Sequence, residues 1–488
     1  MRSDPGPRAA RPWRVAHGGT PPARTRPLAL VASAFVLTVL VVLAPPSRAQ
    51  TPASPGPAPA PTASPGAADG PLDALVATAL TASPALRAAR ARGDAARARI
   101  TPAGLRPDPT LMAGVQNFPV SQPGFRDFMT MKMVGIGQTL SYPGKLALRR
   151  RAAEGDASAT DASLAAATRQ VVRDVRGAYY ELAFLDRAMD VVARNQRVLG
   201  DMIRVAETRY SVGQAGQQGA GLQDVLRARV EATRLAEQAV ALTEQRRATL
   251  ARLNAVLDRP TETPLPAPRV PERVARAAVA DSASRVHFVS AALGARAADS
   301  PLPPLAALQD AAVRQSPALV EQEATIAAQQ VRVELARLES RPDVDLSVQY
   351  GQRQGLSDMV TATVSVPLAL QRRRKQDQLV AAARADLAAL DAERQARRNE
   401  LRAEVARLYS ELERQRAQLA LYVKAVLPQG RASLALAAAS YQVGRVEFLT
   451  VLENQATLFT YETEYFRTLS DFATTAAELE RVVGREVL

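Results

Sequence analysis

The sequence predicts a mainly α-helical chain with a small β part, built as a tandem duplication of one helix–strand–strand–long helix–helix unit. Three observations predict it. Short motifs recur in the same order at a nearly constant offset. Two pairs of short segments alternate apolar and polar residues. Apolar residues then repeat with 4,3,4,3 steps over many turns.

The repeat comes first, because a missed duplication misassigns every later element. Ala82-Ser83-Pro84-Ala85-Leu86 returns as Gln315-Ser316-Pro317-Ala318-Leu319. Arg106-Pro107-Asp108 returns as Arg341-Pro342-Asp343, and Tyr179 and Leu182 match Tyr409 and Leu412. Tyr210-Ser211-Val212-Gly213 returns as Tyr441-Gln442-Val443-Gly444, and Asp224-Val225-Leu226 as Thr450-Val451-Leu452. The offsets stay between 226 and 235 and keep their order. The expected organisation is residues 1–49 as a signal peptide, 50–71 as a disordered Pro/Ala linker, 72–260 as the first repeat, 261–304 as a Pro-rich inter-repeat linker and 305–488 as the second repeat.

The signal peptide rests on Arg24 and Arg26, an apolar run from Pro27 to Pro45, and Ser47-Arg48-Ala49 as the exit. A basic segment, an apolar stretch and a small residue before the break are the marks of a cleavable export signal. Cleavage is expected after Ala49. A membrane anchor is the competing reading of the same run. No other run reaches 18 apolar residues, so no transmembrane helix is expected in the mature chain.

Each repeat is expected to open with a helix, over 72–104 and 305–340. Two strands follow. In the second copy Val344, Leu346, Val348 and Tyr350 alternate with Asp345, Ser347 and Gln349. Val360, Ala362, Val364 and Val366 alternate with Thr361, Thr363 and Ser365. Period two with one apolar face is a strand signal. A hairpin loop holding Gly351, Gly355 and Asp358 is expected between them. Pro143 and Pro367 close the second strand of each copy, since proline has no N–H for a sheet ladder. The long helix carries a seam at Val171, Val175, Ala178, Leu182, Leu185, Met189, Val192, Gln196, Leu199, Ile203, Ala206 and Tyr210. The second copy repeats it at Leu401, Val405, Leu408, Leu412, Gln415, Leu419, Tyr422 and Val426. This is a coiled-coil spacing. From Gly144 to Val212 such a helix is about 100 Å long at 1.5 Å per residue. A turn with glycine follows Tyr210 and Tyr441, and a shorter helix returns.

Composition excludes most chemistry. The chain has 488 residues, no cysteine and two histidines, His17 and His287. Disulfides, thiolate sites, a Ser-His-Asp triad and a His-ligated zinc are all out of reach. No acids, bases or nucleophiles cluster as a catalytic site would, so no enzyme and no cofactor are expected. The net charge is +14, but the first 49 residues hold seven arginines against one acid. The remaining excess is too diffuse for a nucleic-acid partner.

Four amphipathic strands cannot close a barrel alone, because small barrels need about eight. An open edge in a bilayer leaves backbone groups unpaired. The strands must therefore pool with those of other copies, while the long helices stand clear of the membrane. That describes an oligomeric outer-membrane pore continued by a helical tube into the periplasm.

The residues that carry this pattern resemble the outer-membrane efflux proteins of the TolC family. They are the duplication, Tyr142-Pro143-Gly144-Lys145, Leu253-Asn254-Ala255-Val256-Leu257, and the two Tyr-x-x-Gly turns followed by Asp-Val-Leu or Thr-Val-Leu. The resemblance covers residues 72–488. It implies a TolC-like homotrimer, with four strands per chain joining a trimeric twelve-stranded β-barrel continued by an α-helical barrel. It also implies a periplasmic adaptor (membrane fusion) protein and an inner-membrane pump of the RND type as partners, in the outer membrane of a Gram-negative bacterium. The function implied is a passive exit duct of a tripartite efflux system. Asn117-Phe118-Pro119, the Met-rich strand and Pro-Gly-Lys look most like the heavy-metal branch, which exports copper and silver or cobalt, zinc and cadmium. Multidrug efflux and type I protein secretion are the alternatives.

Three places are candidate sites. The periplasmic tip, where the resemblance puts the adaptor contact, takes Tyr210, Gly213 and Asp224 from the first copy and Tyr441, Gly444, Arg445 and Glu447 from the second. Thr450 stands where an Asp is usual, so an acidic aperture would rest on Asp224 or Glu447. The strand–helix junction takes Pro143, Gly144, Lys145 and Pro367. The basic runs Arg149–Arg151 and Arg372–Lys375 flank it, as lipid contacts or as solvated helix ends. Met129, Met131 and Met133 recur at every second residue, and thioethers are soft ligands suited to Cu(I) and Ag(I). By parity they fall with Thr139 and Ser141, opposite Ile136 and Leu140. They read either as metal ligands or as packing inside an extracellular hairpin.

Overall fold

The computed structural model describes residues 70–119, 129–211, 218–279, 302–368 and 370–487. The expected signal peptide, the expected linker up to residue 69 and the turn expected at Gly213 lie outside the described residues.

Each copy opens with helices broken at a proline. The helix expected over 72–104 is three segments, α1 (Pro71–Ala82), α2 (Pro84–Ala98) and α3 (Ile100–Gly104). The one expected over 305–340 is two, α7 (Leu305–Gln315) and α8 (Pro317–Leu338). The breaks fall on Ser83 (φ −53°, ψ 124°) and Ser316 (φ −66°, ψ 118°). The ring of Pro84 or Pro317 drives the preceding residue out of the helical region. The inter-repeat segment carries a short helix, α6 (Glu272–Val279), whose Val274 and Ala278 are buried.

The strands are β1 (Thr110–Gln116), β2 (Met131–Leu140), β3 (Val344–Arg353) and β4 (Met359–Ser365). They form one antiparallel sheet in the order β1-β2-β3-β4, so the two copies join at β2–β3 and both outer edges are open. The register pairs Gly135 with Met112 on β1 and with Gln349 on β3, and Tyr350 with Val360 across β3–β4. One face carries Leu111, Val115, Val134, Ile136, Val348, Tyr350, Val360 and Val364, all exposed. The other carries Thr110, Gln116, Thr139, Asp345, Ser347, Gln349, Thr361 and Thr363. Two expectations shift. Gly351 lies within β3, because that strand runs on to Arg353, and Met129 lies in the turn ahead of β2.

Beyond the sheet, α4 (Lys145–Ser211) is a single helix of 67 residues, about 100 Å at 1.5 Å per residue. It returns as α5 (Gln218–Val256). In the second copy α9 (Gln376–Leu421) passes through a π-helical turn (Tyr422–Val426) into α10 (Leu427–Gln442), and α11 (Phe448–Val483) returns. The seam residues Val171, Val175, Ala178, Leu182, Leu185, Val192, Leu199 and Ala206 are buried. Gln196 is exposed, and Asn195 is buried in its place. A straight helix drifts about 20° per heptad against a 3.5-residue repeat, which moves the buried stripe by one position. Asn195 is satisfied there: its Nδ2 donates to the Val191 carbonyl (2.8 Å), and its Oδ1 accepts from Gln455 on α11. In the second copy the stripe holds from Leu401 to Leu419 and then passes to Ala425 and Leu427 instead of Tyr422 and Val426. The extra residue in the π turn rotates the phase.

One core cluster packs α1, α4, α5, α7, α9 and α11 around Leu182, Leu253, Leu408, Leu412 and Phe472. A second runs further along α4, α5, α10 and α11 through Phe184, Leu199, Leu235 and Phe448. Among the described residues no helix is long and apolar enough to cross a membrane.

Candidate functional site

The junction is built around a buried lysine. Gly144 (φ 94°) takes a conformation that L side chains rarely adopt. It turns the chain after Pro143 so that α4 starts with Lys145 aimed inward. Lys145 is 2% exposed. Its Nζ donates to the Arg341 carbonyl (2.8 Å) and to Asp343 Oδ1 (2.9 Å), with Glu339 Oε2 at 3.8 Å. Asp343 Oδ1 also accepts the Tyr142 N–H (2.8 Å), and Arg149 pairs with Glu339 (3.0 Å). The end of β2 in one copy is thereby tied to the segment ahead of β3 in the other. Burial pushes the Asp343 carboxyl up. The Tyr142 N–H, Lys145 and Arg149 outweigh that and hold it below its ordinary value. Pro367, by contrast, is followed by exposed Leu368 and Leu370 and an exposed basic turn, and α9 starts only at Gln376. The two junctions are therefore alike in sequence position but not in packing.

At the other end of the molecule, Tyr441 is buried and stacks edge-on against Phe448 (centroids 5.5 Å apart). Gly444 (φ 75°) reverses the chain. Its N–H donates to the Tyr441 carbonyl (3.0 Å), and that of Arg445 to the Ser440 carbonyl (2.9 Å). Glu447 precedes α11 and its carbonyl accepts the Thr450 N–H (3.2 Å). Asp224 on α5 feels Glu447. Burial pushes its carboxyl up, Arg227 opposes this and Glu447 adds to it. The two acids that could form a ring are therefore neighbours across the duplication.

The polar face of the sheet holds the methionines. Met131 and Met133 lie on it, in phase with Thr139 and opposite Val134 and Ile136. The sheet adds two that sequence reasoning passed over. Met112 pairs with Gly135 and Met359 with Gly351, which puts both on the same face. Nothing local marks them; only the register of β1 and β4 does. The same holds for Asp343, visible in sequence as part of a repeated Arg-Pro-Asp but not as the partner of Lys145.

Comparison with known proteins agrees with this architecture. The profile of the family described as outer membrane efflux protein matches residues 75–258 and 308–485. Among solved structures, VceC from Vibrio cholerae is 18% identical, with a TM-score of 0.66 over 86% of this chain and 97% of that one. The transmembrane channel CusC is 15% identical, with a TM-score of 0.68 over 85% and 92%. The open MtrE channel of Neisseria gonorrhoeae is 16% identical, with a TM-score of 0.65 over 85% and 89%. A search of curated proteins finds no match.

Proposed function

Because the chain belongs to the outer membrane efflux protein family, we propose that it is the homotrimeric exit duct of a tripartite efflux system for heavy-metal cations such as copper and silver. One observation carries the duct. A four-stranded sheet, apolar on one face and polar on the other, ends in two open edges and is rooted in a helix about 100 Å long. Water on both faces would leave the apolar one exposed, and lipid would leave the edges unpaired. Pairing β4 of one copy with β1 of the next removes both problems, and three copies give the twelve strands that the family resemblance implies. The apolar face then meets lipid and the polar face lines the lumen. The adaptor and an RND-type pump would meet the tip at Tyr210, Gly213, Asp224, Tyr441, Gly444, Arg445 and Glu447. Methionines on an otherwise polar face support the metal substrate.

A strain lacking the chain tests this with a panel of copper, silver, cobalt, zinc, cadmium and hydrophobic drugs. Sensitivity to copper or silver, restored by the wild-type chain, is expected. Sensitivity to drugs alone would overturn the metal reading.

The duplication also supports one particular pairing at the seam. Lys145 follows β2 and reaches Asp343 ahead of β3. Its counterpart at offset 230 is Lys375, after β4, and the counterpart of Asp343 at offset 235 is Asp108, ahead of β1. Both are exposed in the single chain. Across a closed β4–β1 seam they would meet between neighbouring copies. Asp108→Lys is expected to lower the trimer recovered on semi-native gels several-fold, and the swap Asp108→Lys with Lys375→Asp to restore it. Full trimer from the single variant would rule out this pairing.

A further inference from the structure

Five of the eight methionines fall on or beside one end of the sheet: Met112, Met129, Met131, Met133 and Met359. Methionine is not an expected filler of a polar barrel lining. These side chains also do not pack a core, since none of the five is buried. They surround a gap. Gly351 sits on β3 between Met133 and Met359, each its direct cross-strand partner. A Cβ placed on Gly351 would lie 3.5 Å from Met131 Sδ and 3.8 Å from Met133 Cγ. The Met131 sulfur and the Met133 chain therefore already lean over the position that lacks a side chain. Met359 is one strand away on the other side, about 5 Å in backbone spacing. Its three rotatable bonds let its sulfur reach the same space.

We propose that Met131, Met133 and Met359 form a three-thioether site over Gly351 for a monovalent soft cation, Cu(I) or Ag(I). Three neutral sulfurs supply no charge, which disfavours hard divalent ions and suits a soft monovalent one. Arg353 shares the face beside Met131. Its guanidinium is turned to the hairpin, where Nη2 donates to the Ser357 carbonyl (2.7 Å). A cation so close keeps the site weak, as befits ions in transit. Met112 stands apart, with its sulfur accepting the Gln349 amide (3.9 Å) and its methyl turned toward Gly137. The inference rests on the duct reading only in placing this face on the lumen.

Silver binding to the purified trimer in lipid nanodiscs tests it, by equilibrium dialysis against saturating silver in halide-free buffer followed by elemental analysis. The chain has no cysteine to compete, and among the described residues no cluster of His, Asp or Glu could hold a metal. One silver per chain is expected. Affinity is expected to fall at least tenfold in Met131→Leu/Met133→Leu/Met359→Leu. A similar fall is expected in Gly351→Leu, which keeps every sulfur and fills the gap. Met112→Leu should bind as wild type. Potassium conductance in planar bilayers, measured on each variant, reports the assembled pore. Variants that conduct and bind silver like wild type overturn the site, and so does a wild-type pore that binds none. A trimer that binds silver with the expected losses but does not conduct keeps the site and overturns the duct.

Discussion

Lys145→Met is expected to loosen the junction between sheet and helices, with a loss of about 1–3 kcal/mol, the range for leaving hydrogen-bonded polar groups without their partner. Lys145 is almost fully buried, and methionine preserves most of its volume but none of its donors. The Arg341 carbonyl and half-buried Asp343 would lose their ammonium partner, and Asp343 would keep only the Tyr142 N–H and the more distant Arg149. The double variant Lys145→Met/Asp343→Leu should lose less than the single one, because it leaves no unpaired charge behind. Thermal melting of the purified protein at neutral pH measures both. The pH dependence has a definite sign. The folded carboxyl of Asp343 titrates below its ordinary value of 3.8. Its contribution is therefore complete at neutral pH and lost as pH falls through the folded value. Lys145→Met lacks the lysine's share of that contribution throughout. The gap between wild type and variant should narrow on strong acidification, and a gap that widens would place the stabilisation elsewhere.

The same junction shows what the sequence could and could not carry. Pro143-Gly144-Lys145 was legible as a strand-to-helix turn, since proline ends a sheet ladder and glycine permits the backbone to reverse. The partner of Lys145 was not, because Asp343 is 198 residues away and only the β2–β3 pairing brings it near. The strands and the 67-residue helix were legible for the same reason: periods of two and of 3.5 are local properties of a chain. Gly351 was misplaced into a loop because glycine signals a turn more often than a strand. In β3 it has a different use, as the space between Met133 and Met359. Parity along β2 sufficed to put Met131 and Met133 on the polar face. Met112 and Met359 needed the cross-strand register, which no single strand contains. Gln196 failed as a seam position because strict heptad counting outruns a helix of 3.6 residues per turn.

The largest effect on the sheet is expected from Gly135→Val. Gly135 is on β2, flanked by β1 and β3, at the point where the two copies meet. A Cβ there would sit 2.5 Å from Gln349 Cγ, 2.6 Å from the Val348 oxygen and 2.9 Å from Gln349 Cα. Two of these three atoms are backbone, so no rotamer change relieves the overlap. The strands must move apart, and that breaks the ladder joining the repeats. A concave sheet brings its inner face together, and residues without side chains at the tightest point permit the curvature. Gly114 lies on the same face of β1, one pair along, with nothing within 4 Å of its would-be Cβ. Gly114→Val is the matched control: the same added isopropyl group and the same face, with no atom of its own chain crowding the position. Heat-modifiable mobility on gels reads the folded barrel in outer-membrane fractions. Gly135→Val is expected to lower that species more than tenfold, and Gly114→Val less than twofold. The helices of α4 and α5 make none of the contacts at Gly135, so circular dichroism of Gly135→Val should keep most of the helical signal. Equal loss in both variants would mean that any bulk on this face is rejected, and that the close approach of β2 to β3 is not what makes glycine necessary.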